Sequence, residues 1–354
     1  MASGQTPPAP TLEWDGSRWP GCLDPLKKMI RTQPHSSNTL LIRLRKFFQH
    51  GDRIYRLLLV IAVLLVLTLV FSIGAELWKN SSLSRQAFGW KFIISSTWDP
   101  ALTDTFGALP FILGTLVTSI LALLVAIPLG VGTAIFLAEL APNYLRGPLG
   151  FLAELLAAVP SVVYGLWGLF AFVPIFVHPA ANLLNKTLGF LPIFQGPVFG
   201  PSRLAAGLLL GIMVFPTITA VSRDVLLAIP NNQREAAMAL GATRWEMISQ
   251  VLLPYGTSGF FGAIILGLGR ALGETIAVTM VIGNNLDLTA SLLHPGYTMA
   301  SVIANEFTEA TFDLYLHALI EIGLILFIIT LLINVIARLL IWRVGRQNKP
   351  EKRS

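Results

Sequence analysis

A chain of 354 residues in which 54% are hydrophobic and only 12% charged, with a mean hydropathy of +0.69, lies outside the composition of a soluble domain and fits a polytopic membrane protein. The net charge of +6 does not point to nucleic acid, because the basic residues flank apolar runs instead of forming a patch interleaved with aromatics. A single cysteine, Cys22, excludes a disulfide framework and a Cys-based metal site.

Met1 to about Thr39 contains Pro, Ser and Gly with no sustained period and reads as a loosely held tail. Between Thr39 and Phe48 the residues Leu40, Leu41, Leu44, Phe47 and Phe48 share a helical face, with Arg43, Arg45 and Lys46 on other faces. This is either a basic helix lying among lipid headgroups or a positive flank that orients the first span. No apolar h-region precedes residue 54, so the first span is expected to act as its own insertion signal.

Apolar runs long enough to cross a bilayer of roughly 30 Å fall at about 54–77, 110–138, 150–177, 204–229, 255–283 and 317–342. They predict an all-α integral membrane protein with six transmembrane helices. Lys27, Lys28, Arg31, Arg43, Arg45, Lys46, Arg53 and Arg56 precede the first span, and Arg338, Arg343, Arg346, Lys349, Lys352 and Arg353 close the chain. Residues 284–316 hold no Lys or Arg. Both termini are therefore expected in the cytoplasm, with the loop about 78–109, which carries Lys79, Arg85 and Lys91, the weakest point of the rule. The predicted organisation is a cytoplasmic tail with the basic segment (1–50), a first span and outer loop (51–109), a core of five spans (110–343) and a basic cytoplasmic tail (344–354).

Pro128, Pro160 and Pro216 interrupt the spans and are expected to kink them. Gly207 with Gly211, and Gly269 with Gly273, have GxxxG spacing, which serves either close helix packing or the wall of a narrow passage.

Between the fourth and fifth spans lies NNQREAAMALGATRWEMISQVLLP, residues 231–254, too polar for hydrocarbon. Asn232 with Glu235 reads as an N-cap arrangement, Gly241 as the left-handed stop of a first helix, Thr243 with Glu246 as a capping box, and Pro254 as the stop of the second helix or the start of the next. Glu235-Ala236-Ala237, Gly241, Val251 and Leu253-Pro254 stand in the register of the EAA loop of bacterial ATP-binding-cassette importer permeases, which the sequence resembles; Val251 replaces the family's usual Ile. The resemblance implies a coupling helix that docks into a separate cytoplasmic ATPase. Without it, the loop is an ordinary amphipathic connection.

Arg270 is the charge to explain. Sixteen residues past Pro254 it lies ~24 Å along the helix, near mid-bilayer, where it needs a partner or a polar cavity. Glu274, four residues on, is expected on the same helical face, giving either a self-neutralising ion pair or a guanidinium that receives an oxyanion while Glu274 holds it between events. Thr275 and Thr279 add hydroxyls that either donate to the anion or bond back to the backbone.

GRALGETIAVTMVIGN (269–284), FGALPFILGTLVTS (106–119) and AVPSVVYGLWGLF (158–170) narrow the resemblance to phosphate-importer permeases of the PstC type, over roughly residues 50–343. It implies the type I ABC importer permease fold in a bacterial inner membrane. It also implies a heterodimer with a PstA-type chain, two copies of a PstB-type ATPase that holds ATP and Mg, and a periplasmic PstS-type phosphate-binding protein. This chain itself has no GxxxxGK[ST], and no cofactor or metal site is expected in it. His35, His50, His178, His294 and His317 are scattered and read as interfacial or loop residues, and Ser161 lacks the setting of a nucleophile elbow. Glu306, Glu309 and Asp313 form an acidic group, read as a solvated face or as a docking contact for a binding protein. Three functions stand side by side: a permease subunit of an ATP-driven importer of phosphate or another oxyanion such as sulfate or molybdate, a gradient-driven anion carrier or channel, and a membrane signalling scaffold.

Overall fold

The computed structural model describes the backbone of residues 38–347 and the side chains of residues 55–343. The tail from Met1 to about Thr39, the side chains of the 39–48 segment and most of the 344–354 tail lie outside that description. Two compact units divide the chain, residues 1–70 and residues 71–354.

Within the first unit the described chain is the start of helix α1, Asn38–Asn80, whose Leu57, Leu64 and Val66 are all exposed. Unbroken apolar side chains around a whole helix leave no face for water, so this segment is built for lipid.

The second unit is helical, and among its described residues no β-strand forms; two isolated bridges, Asp99 with Thr105 and Gly283 with Gly296, pin loops. In order it holds α2 (Ser82–Phe88), α3 (Lys91–Ile94), α4 (Leu109–Leu140), α5 (Asn143–Ala158), α6 (Ser161–Leu188), α7 (Arg203–Leu227), α8 (Asn231–Ala239), α9 (Arg244–Gly273), α10 (Ile276–Val281), α11 (Met299–Glu306) and α12 (Asp313–Gln347). With α1, the helices α4, α6, α7, α9 and α12 are the six long and apolar enough to span a membrane.

The centre is α7 laid against α4. Gly207 and Gly211 permit it: a Cβ at Gly207 would come within 2.5 Å of Leu121, and one at Gly211 within 3.2 Å of the Ala122 carbonyl. The 207/211 spacing is thus a packing seam. Ala205, Leu209, Met213, Val214 and Ile218 of α7 are fully enclosed, as expected of a helix surrounded by others.

Two spans are placed differently from the hydropathy reading. The third begins at Ser161, not 150: the amphipathic α5 stops at Val159-Pro160, where the proline ring disfavours helical backbone in the residue before it, and the Tyr164 hydroxyl donates to the freed Leu156 carbonyl at 2.8 Å. Pro160 is therefore a cap and not a kink, while Pro128 and Pro216 do lie inside helices. Pro174, overlooked in the sequence, sits in a π-helical stretch, Gly168–Val177, whose wider turns accommodate its ring.

The fifth span starts earlier than Tyr255 and ends earlier than 283. Its helix runs without a stop from Arg244 through a π stretch, Met247–Leu252, past Pro254 to Gly273. Pro254 does not end the helix; it sits in the first turn of the α-helical stretch Leu253–Gly273 that follows the π stretch. The chain then breaks at Glu274 and Thr275 before α10.

Candidate functional site

At the polar loop the local signals act largely as the residues dictate. Gly241 has φ of +86°, its N–H donates to the Met238 carbonyl and the Ala242 N–H to the Ala237 carbonyl, the paired bonds of a Schellman stop. The Thr243–Glu246 capping box is complete, the Thr243 N–H donating to Glu246 Oε2 at 2.8 Å and the Glu246 N–H to Thr243 Oγ1 at 3.3 Å. The Asn232 cap does not form. Helix α8 already starts at Asn231 after Pro230, whose fixed φ opens it without a side-chain cap.

The loop's outer surface carries Glu235, Ala236 and Gly241, all exposed, while Ala237 is buried beneath them. Beside them stand Met238, Leu240 at 90% exposure and Trp245 at 64%, large apolar side chains with nothing over them. Their exposure depends on the bend at Gly241, so helical spacing within 231–254 could not single them out.

Arg234 was equally invisible. It donates to Glu139 Oε1 through Nε at 3.1 Å and Nη2 at 2.7 Å, to the Ile229 carbonyl at 2.6 Å and to the Leu226 carbonyl at 2.7 Å. One guanidinium thus ties α8 to the ends of both α4 and α7. Glu139 lies in a π-helical last turn of α4, Phe136–Leu140, and its side chain is only 9% exposed.

In the span itself, the structure separates the expected Arg270–Glu274 pair. Glu274 is not on the helix: it follows the last turn with ψ of 125°, and its Oε1 accepts from the Ala277 N–H at 3.4 Å, capping α10. The ion pairs among the described residues are Arg234–Glu139 and Arg223–Glu154, and neither involves Arg270. Thr275 bonds back to the Gly273 carbonyl and Thr279 to the Thr275 carbonyl. Arg270 instead donates from Nη1 to Thr217 Oγ1 at 3.0 Å, one residue past the kink proline of α7. Gly269 and Gly273 have nothing within 4 Å of where a Cβ would stand, so this second GxxxG spacing is open and packs on nothing among the described residues.

At the opposite end of the bundle from the Glu235 loop, Arg203 is a buried anchor the hydropathy pattern passed over. It is 7% exposed and donates to the Thr289 and Asp287 carbonyls, holding the 284–298 loop against α7. The acidic group there is not a uniformly solvated face: Glu306 accepts from Trp98 Nε1 and the Tyr315 hydroxyl, both at 2.7 Å, and burial lifts its carboxyl above the ordinary range. Neighbouring Tyr297 is pushed up to about 12, chiefly by burial. His317 is not a loop residue but lies inside α12, its Nδ1 buried and unpartnered.

Six membrane-length helices, four of which carry a proline or a π-helical stretch, a broken helix beside a cation with no ion pair among the described residues, and a polar loop with exposed apolar knobs fit a membrane transport permease, and comparison with known proteins agrees. The model for "Binding-protein-dependent transport system inner membrane component" matches residues 126–346. Phosphate transport system permease proteins PstC are similar over most of their length: 45% identity in Xylella fastidiosa (84% of this chain, 92% of that one), 44% in Pasteurella multocida (91% and 98%) and 38% in Mycobacterium tuberculosis (87% and 97%). Among solved structures, a chain of a bacterial alginate ABC transporter in complex with an alginate pentasaccharide-bound periplasmic protein shares the fold, with a TM-score of 0.54 at 18% identity over 83% of this chain and 96% of that chain. The chain belongs to the binding-protein-dependent transport system inner membrane components, in the PstC group of phosphate transport system permeases.

Proposed function

We propose that this chain is the transmembrane permease subunit of an ATP-driven importer of inorganic phosphate, that it stands in a bacterial inner membrane with its termini and the Glu235 loop in the cytoplasm, and that Arg270 receives the anion during passage. The carrying observation is Arg270 itself: a guanidinium in a membrane span with no carboxylate partner among the described residues and one neutral hydroxyl to donate to. Its remaining donors form a planar fork suited to an oxyanion, and Gly269 and Gly273 leave backbone-deep space beside it. A broken helix is tolerated at membrane depth where it lines a cavity, and the Glu274–Thr275 break lies one turn from Arg270. Glu274 and Thr275 hold that break open and reach the anion only through it. That the anion is phosphate and not sulfate or molybdate rests on the names of the similar permeases.

Glu235, Ala236, Ala237 and Gly241 form the coupling helix and its stop, and Met238, Leu240 and Trp245 fill the groove of a PstB-type ATPase, which holds the ATP and Mg. A homologous PstA-type chain covers the open Gly262, Gly269 and Gly273 face, and a PstS-type binding protein delivers phosphate from the far side. Closure of the ATPase pair pulls α8, and Arg234 carries the motion to α4 and α7 together. A gradient-driven carrier would have no use for the exposed apolar knobs of the 231–254 loop.

The test is reconstitution with the ATPase and the homologous chain, measuring labelled phosphate uptake against competing sulfate and molybdate. Uptake that needs ATP, is competed by phosphate alone and is lost on charge reversal at Glu235 supports the reading. Uphill uptake by this chain without ATPase or nucleotide overturns it.

A further inference from the structure

The transport reading makes no use of a second polar site at the far end of the bundle from the Glu235 loop. Residues 78–93 and α12 line a half-open cavity of about 310 Å³. Arg85 and Glu321 line it, near enough for their charges to interact, yet no ion pair joins them. Glu321 is 5% exposed, and neither its Oε2 nor the buried Ser84 hydroxyl beside it finds a partner within hydrogen-bond distance among the described residues. Arg85 spends Nε on Ser81 Oγ and Nη2 on the Trp78 carbonyl, and its carbon centre lies 3.8 Å from the centroid of the Trp78 ring. A buried carboxylate oxygen in a membrane span without a close donor is costly unless something supplies one.

We propose that this cavity seats a membrane phospholipid whose headgroup carries a primary ammonium: the ammonium donates to Glu321, the phosphate lies on Arg85, and an acyl chain follows Leu324, Ile325 and Ile328. The polarity of the wall has the order of such a lipid. Glu321 comes first along α12, and the apolar residues follow over the next two turns, ~10 Å of helix. Trp78 and Trp90, the latter 84% exposed, stand at the polar end, where indoles sit at a membrane–water boundary. Glu321 Oε2 needs an N–H donor, which an ethanolamine offers and a choline lacks. A glycerol headgroup would bring net negative charge beside the carboxylate.

The complete transporter, purified from a membrane containing phosphatidylethanolamine, phosphatidylcholine and phosphatidylglycerol, is analysed for retained lipid by native mass spectrometry. At least ~10-fold enrichment of phosphatidylethanolamine is expected, the scale of one charge-assisted hydrogen bond. Glu321→Gln should remove the discrimination against phosphatidylcholine, Arg85→Gln the retention itself. Ile328→Trp, at a half-exposed position outside the polar cluster, should abolish retention by filling the chain path. Retained lipid that mirrors the bulk membrane, or enrichment that survives both Arg85→Gln and Ile328→Trp, overturns the assignment.

Discussion

Arg234 donates to Glu139 and to the carbonyls of Ile229 and Leu226 from inside a closed junction, whereas among the described residues Arg270 donates to Thr217 alone, beside glycines that face open space. Both cations sit at least partly out of water, and the cost of that position is met differently. At Arg234 the protein supplies a full set of acceptors, which makes a rigid clamp. At Arg270 it leaves donors unspent, which makes a site that a passing anion completes. The difference separates the part that transmits force from the part that touches cargo.

The comparison breaks most directly at Arg270. Arg270→Ala should lower phosphate uptake ~100-fold or more, about 3 kcal/mol of charge-assisted hydrogen bonding, while the ATPase still co-purifies. Uptake at the normal rate would remove Arg270 from the pathway. Arg234→Ala should behave in the reverse sense. It strands Glu139 in a nearly closed junction, a loss of about 3 kcal/mol that lowers the melting temperature and uncouples ATP hydrolysis from uptake. Glu139→Gln, which keeps an acceptor, should cost less, and equal effects of the two variants would contradict the clamp.

Gly241→Ala tests the surface the clamp supports. A Cβ at φ of +86° is strained by about 1 kcal/mol although the space around it is free, so binding of the ATPase should weaken ~5-fold with the fold intact. The smallest change is expected for Thr217→Val, which removes the one hydrogen-bond partner of Arg270 among the described residues. Uptake should shift by a few-fold at most, and ATPase binding should not move at all. An uncoupled phenotype there would mean that Arg270 is a structural clamp like Arg234.

Much of the loop was legible because its signals are local. The Gly241 stop and the Thr243–Glu246 box each close within a few residues, so spacing alone carries them. The Arg270–Glu274 pair failed for the complementary reason: an i, i+4 relation holds only while the helix lasts, and nothing in GRALGET states that the helix ends at Gly273. Hydropathy likewise ran the third span through Pro160, because apolar α5 residues and the span behind them read as one run.

By itself the sequence determined six crossings, the polar loop between two of them and the presence of one deep cation, since each follows from the cost of placing a given side chain in hydrocarbon or from bonds closed inside a single turn. Only the tertiary structure decided which arginine is saturated and which is open. It also decided that Gly207 and Gly211 pack on α4 while Gly269 and Gly273 pack on none of the described residues, and that Glu139 answers to Arg234. Those outcomes depend on residues far apart in the chain meeting in three dimensions, and no window along the chain holds both partners at once.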